Sequence, residues 1–141
     1  MKKLMVIVIA LLMLGTSSVL SQNSDELQGA WECIYTKYVF PDSISETTHF
    51  EHPSVKILTM NHFAFGSLWS DGESVSAGGG KYSYEGKTYI EHVKYHTFSS
   101  AIGKSLEFKS KLEGDKWTIT GVVPGSDGEK IQLKETWKRI E

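Results

Sequence analysis

After Gly29 the chain consists of short stretches in which apolar and polar residues alternate, and the connections between these stretches alternate too. Eight stretches rich in Tyr, Phe, Trp, Val, Ile and Thr lie near 29–39, 54–60, 63–70, 79–84, 87–96, 104–113, 116–123 and 129–140. This period-two pattern predicts strands with one buried face and leaves almost no helical periodicity. Asn61-His62, Glu85-Gly86 and Gly114-Asp115 suit two-residue hairpin turns, whereas 40–53, 71–78, 97–103 and 124–128 are longer. Short and long connections therefore follow one another strictly. In an up-and-down meander that order places every tight turn at one end and every long loop at the other. The expected shape has a closed floor and an open mouth.

The tight turns also predict which residues face each other. They set Tyr84 opposite Lys87, Tyr82 opposite Tyr89 and Gly80 opposite Glu91; Leu112 opposite Trp117 and Ser110 opposite Ile119; Met60 opposite Phe63 and Leu58 opposite Phe65. Each hairpin then carries its apolar and aromatic residues on one common face, with Glu107, Lys109, Lys111 and Glu113 outside. Eight strands with a single apolar face must close or stack to hide their edges. A plain meander without long crossovers closes, so the expected class is an all-β, eight-stranded, up-and-down antiparallel barrel.

The first residues are expected to stand outside that barrel. Lys2 and Lys3 precede an unbroken apolar run from Leu4 to Leu14, then small and polar residues up to Ser21. The run is too short to cross a bilayer, and the pattern is that of a secretory signal peptide, residues 1–21. Residues 22–141 then form one domain, secreted or periplasmic, with Asn23 to Leu27 as a short turn before the first strand. This mature chain keeps thirteen basic residues against seventeen acidic, a formal −4. No basic cluster tracks a phosphate backbone, so nucleic acid is not an expected partner. With one cysteine there is no internal disulfide, and Cys33 on an apolar strand face reads as a small buried hydrophobe.

Closure brings the first strand beside the last, antiparallel, with Trp31 and Arg139 together at the closed end. The Gly29-Ala30-Trp31 stretch and that basic partner resemble the lipocalins and the wider calycin superfamily. There a Gly-x-Trp on the first strand packs under a basic side chain from the last strand. The resemblance implies that Trp31 and Arg139 form a structural barrel plug, and a guanidinium over an indole gives that pairing a physical basis. More closely, the chain is similar to small lipocalin-like domains of exported bacterial proteins. That similarity runs through Gly79-Gly80-Lys81-Tyr82, Thr88-Tyr89-Ile90-Glu91, Gly114-Asp115-Lys116-Trp117 and Glu135-Thr136-Trp137-Lys138-Arg139. The other lipocalin motifs and the usual disulfide are missing, so the resemblance implies a fold and not a particular ligand.

The inward residues expected from this register form an aromatic wall with two carboxylates. Tyr35, Phe65, Tyr82, Tyr84, Tyr89, Glu91, Tyr95, Phe108 and Glu135 are the ligand-binding candidates, with Val93, Leu106, Trp117 and Leu133 among them. Glu135 is expected across the seam from Tyr35. An eight-stranded barrel is just wide enough to fill itself with side chains or to hold one small ligand. Both readings are open: a filled core with Glu91 and Glu135 bonded to phenols or Arg139, or a cavity for a small hydrophobic or amphipathic molecule.

Three classes of function follow. The first is an exported binding protein for such a molecule. The second is a cell-envelope protein-interaction module, with Val39, Phe40, Phe98 and Ile102 of the mouth loops meeting a protein partner. The third is an enzyme acting inside the barrel, such as an isomerase using Glu91 and Glu135; no nucleophile, metal cluster or cofactor loop accompanies them. No catalytic residues, metal or cofactor are assigned. His49, His52 and His62 lack a completing ligand, and His92 and His96 lie about 13 Å apart at strand rise, so all five histidines read as surface groups. Ala77-Gly78-Gly79-Gly80-Lys81 is not a phosphate loop, because Tyr82 stands where Ser or Thr belongs and a strand follows; a bulge explains its glycines.

Overall fold

The computed structural model describes residues 24–141, and the expected signal peptide lies outside the described residues. A 3-10 turn at Ser24–Leu27 precedes nine strands: β1 (Gly29–Val39), β2 (Ile44–Thr47), β3 (Val55–Leu58), β4 (His62–Leu68), β5 (Val75–Tyr84), β6 (Thr88–His96), β7 (Ser105–Glu113), β8 (Lys116–Pro124) and β9 (Lys130–Arg139). Every neighbouring pair is antiparallel. From β3 to β9 each strand pairs with the next, and β1 closes the ring between β9 and β3. The result is a closed eight-stranded antiparallel barrel with one additional strand.

The additional strand is β2, which lies within the expected long loop 40–53. β1 is longer than the wall beside it. Its lower part, Gly29 to Glu32, pairs with β3, and its upper part, Thr36 to Val39, pairs with β2. The segment 48–54 bridges the two at the mouth. β5 also begins earlier than expected, at Val75 instead of Gly79, which shortens the loop before it.

The tight turns do gather at one end, but two of the three sit one residue away from their expected place. In the 85–88 turn Glu85 and Thr88 are bonded, so Gly86-Lys87 forms the tip. Gly86 adopts φ 66° while the non-glycine residues keep negative φ, the pattern of a turn that needs glycine at its first central position. Tyr84 consequently faces Tyr89 instead of Lys87, Tyr82 faces Glu91, and Gly80 faces Val93. Likewise Thr59 caps His62, Met60-Asn61 forms the tip, and Leu58 faces Phe63 instead of Phe65, leaving Met60 exposed. The Gly114-Asp115 turn is as expected, with Leu112 opposite Trp117 and Ser110 opposite Ile119. A one-residue move of a turn shifts register by two, so inward residues stay inward.

The floor half of the barrel is packed solid. Leu27, Trp31, Tyr89, Trp117 and Ile119 are fully buried. Trp117 lies between Trp31 (ring centroids 5.5 Å apart) and Tyr89 (4.8 Å, edge-on), and Tyr89 also meets Tyr82 at 5.5 Å and Phe108 at 6.0 Å. Offset and edge-on pairs of this kind add to the stability from burial. Each buried indole N–H has an acceptor: Trp31 donates to the Leu27 carbonyl at 2.9 Å and Trp117 to Ser110 Oγ at 2.8 Å. Below them Arg139 pairs with Trp31 across the seam, its guanidinium carbon 4.2 Å from the ring centroid, and donates to the carbonyls of Gln28 and Glu26. Trp31 and Arg139 thus stack across the seam, and Arg139 also ties down the N-terminal turn.

Candidate functional site

Above the aromatic floor the barrel opens into a cavity of about 780 Å³ that reaches the mouth. The sequence left a choice between a filled and a hollow barrel; the lower half is filled and the upper half is hollow. The apolar wall comes from inward positions of successive strands, including Phe65 of β4, Leu106 and Phe108 of β7, Ile119 of β8 and Leu133 of β9. The rim comes from the long connections, which contribute Phe40, Phe50, Trp69 and Phe98. Trp69 and Phe98 meet edge-on, with centroids 6.3 Å apart.

Of the nine ligand-binding candidates, Phe65, Glu91, Phe108 and Glu135 line the cavity. Tyr82, Tyr84 and Tyr89 point inward but are buried in the floor. Tyr35 and Tyr95 are on the outside, and each is displaced by a β-bulge. Between Cys33 and Tyr35 the β1–β9 ladder slips by one residue, so Tyr35 turns outward and bonds Glu46 at 2.7 Å. Glu135 then faces Thr36 instead of Tyr35, and Tyr38 enters the cavity. A second slip, opposite Gly79 and Gly80, turns Tyr95 out to 64% exposure. The inward position passes to His96, which corrects its reading as a surface histidine. His96 packs between Phe65 (5.5 Å) and Phe98 (5.4 Å), and its Nδ1 accepts the Phe98 N–H at 2.8 Å. Burial lowers its pKa, an effect that Glu91 opposes. His49 and His52 also line the cavity, at its rim. Among the described residues, no three of His, Cys, Asp and Glu come together as a metal-ligand set.

The residue the sequence reading missed is Lys56, only 4% exposed, at the base of the cavity. Its ammonium lies 2.7 Å from Glu91 Oε1 and within 5.0–6.0 Å of the ring centroids of Phe63, Phe65, Tyr89, Trp117 and Trp137. The same Glu91 oxygen accepts the Tyr89 hydroxyl at 3.0 Å. A charge this deep is tolerated because it is paired, hydrogen-bonded and faced by aromatic rings. The signal was available: in Val55-Lys56-Ile57-Leu58, alternation places Lys56 on the same face as the inward Leu58.

Glu135 is the third charged group at the base. Its Oε1 accepts the Tyr38 hydroxyl at 3.3 Å and its Oε2 accepts the Trp137 indole N–H at 3.0 Å. Among the described residues no cation lies within ion-pair distance of it; Lys56, bonded to Glu91, attracts it from farther off. Burial holds its carboxyl above the usual range; Glu91 adds to the shift, while Lys56 and the two hydrogen bonds oppose it. Burial also raises the Tyr38 phenol, reinforced by Glu135, so Tyr38 stays protonated as a donor.

This arrangement is a largely apolar pocket whose base carries Lys56 paired with Glu91, and Glu135 held by Tyr38 and Trp137. No described helix is long and apolar enough to cross a membrane. No curated protein matches the chain. A family model matches residues 26–141, and the chain belongs to that family, the domain of unknown function DUF4488.

Proposed function

We propose that this is an exported, lipocalin-like binding protein that holds a small hydrophobic or amphipathic molecule in the upper half of its barrel. The observation that carries this reading is the 780 Å³ cavity, walled by apolar side chains and ending on a few convergent polar groups. Its size and composition fall in the range of small-molecule sites. The signal-like segment at 1–21 supports export, and the Trp31–Arg139 plug under an open barrel supports kinship with the lipocalins. Of the mouth-loop residues a protein partner would meet, Phe40 and Phe98 line the cavity, whereas Ile102 is 48% exposed outside it.

The test is native mass spectrometry of residues 22–141 purified from the host's export compartment, before and after solvent extraction. A surplus mass that extraction removes is the expected result. A sample that carries nothing, and whose tryptophan fluorescence fails to respond to N-phenyl-1-naphthylamine, would sink the reading. Trp69 and Trp137 line the cavity and report on its filling.

A further inference from the structure

The charges around the cavity select among amphipathic molecules. Four carboxylates, Glu51, Glu91, Glu129 and Glu135, line it against one ammonium, that of Lys56. Lys56 and Glu91 neutralise each other at 2.7 Å. Glu135 makes no direct ion pair among the described residues: Lys56 attracts it but bonds Glu91, and the hydrogen bonds Glu135 accepts come from neutral groups, Tyr38 and Trp137. Glu129 Oε2 is a buried oxygen that receives no hydrogen bond. Alternation continues through Glu129, Ile131, Leu133 and Glu135, so one face carries a carboxylate at the mouth, an apolar run, and a carboxylate at the base. An anionic head group would meet an acidic lining in a low-dielectric cavity whose described ammonium, Lys56, is already bonded to Glu91, whereas a cationic head group could pair with Glu135 directly.

We propose that the cavity takes a cationic amphiphile, an apolar body bearing an ammonium group, with its head at Glu135 and its body along Leu133, Ile131 and Phe108. This rests on the small-molecule reading above and assigns that site its ligand class. The acidic rim at Glu51 and Glu129 would draw such a molecule to the mouth.

Three probes with the same tail and different heads test this at neutral pH: decylamine, 1-decanol and decanoate, each titrated below its solubility or micelle limit and followed by tryptophan fluorescence. The expected result is that decylamine binds about tenfold or more tighter than decanoate, with 1-decanol between them. Glu135→Gln should bring decylamine to within about threefold of 1-decanol. If all three bind alike, or decanoate binds best, the head-group assignment is overturned and the cavity reading stands. If none binds, the cavity reading itself falls. The wild-type ratio decides the matter even if the variant fails to fold.

Discussion

At the scale of single residues, the base of the cavity concentrates the unusual energetics. Lys56→Met leaves Glu91 buried and uncompensated, which should cost about 3–5 kcal/mol in urea unfolding. Lys56→Met combined with Glu91→Gln removes both charges while keeping an acceptor for the Tyr89 hydroxyl, and should recover most of that loss. An additive double variant would mean that the two charges are not coupled. Glu135 gives a pH signature of defined sign. Its folded pKa is raised, so as pH climbs past the ordinary carboxylate range the unfolded chain releases this proton first. The native state then binds more protons than the unfolded state, and stability falls with pH until the folded group also ionises. Glu135→Gln should flatten that decline and be no less stable than wild type at neutral pH; an unchanged slope would exclude Glu135 as its source. Cys33 provides a third check. Burial, reinforced by Glu135, pushes its thiol up to about 12, so thiol reagents should modify it only as fast as the barrel opens. Lys56 was legible from the parity of its strand, whereas its ion pair with Glu91 was not, because the two residues lie 35 positions apart.

At the scale of strands, two bulges decide which aromatic residues meet the cavity. The β1 bulge exchanges Tyr35 for Tyr38, and the β5–β6 bulge exchanges Tyr95 for His96. Alternation read from sequence assumes an unbroken ladder, and one extra residue inverts every side chain beyond it. Register errors of two residues at the turns did no such harm, because they preserve parity. The glycine run in β5 was a visible sign of irregularity, but the unpaired residue lies across from it in β6, where no glycine marks it. At Gly80 a Cβ would come within 2.1 Å of the His92 carbonyl oxygen, so the bulge depends on glycine there. Gly80→Ala should cost about 1–3 kcal/mol through forced backbone movement. It should also change the environment of Tyr95 and His96, seen in their NMR ring signals. Undisturbed ring signals would show that the ladder absorbs the methyl group without moving.

At the scale of the whole molecule, closure of the barrel depends on the meeting of its two ends. Gly29 has φ 126°, and a Cβ there would lie 2.2 Å from the Glu141 carbonyl oxygen. The first glycine of Gly-x-Trp is therefore where the last residue crosses the first strand, bonded through Ala30 N–H to Glu141 O at 3.2 Å. Arg139 holds the same junction by covering Trp31 and binding the carbonyls of the N-terminal turn. Arg139→Lys keeps the charge but loses the planar fork, and should destabilise by about 1–2 kcal/mol, measured as a lower urea midpoint. Equal stability would mean that charge alone holds the junction. The sequence by itself determined the strand count of the barrel, the ends at which turns and loops lie and the inward face of Glu135. Each of these follows from local alternation, turn chemistry or the parity of one closing strand. Only the tertiary structure decided that the lower half is solid and the upper half hollow, that Lys56 pairs with Glu91, and that Glu135 is left without a direct ion pair. Those outcomes depend on how far each side chain reaches across the barrel and on where its ladders slip, and neither is encoded in any one strand.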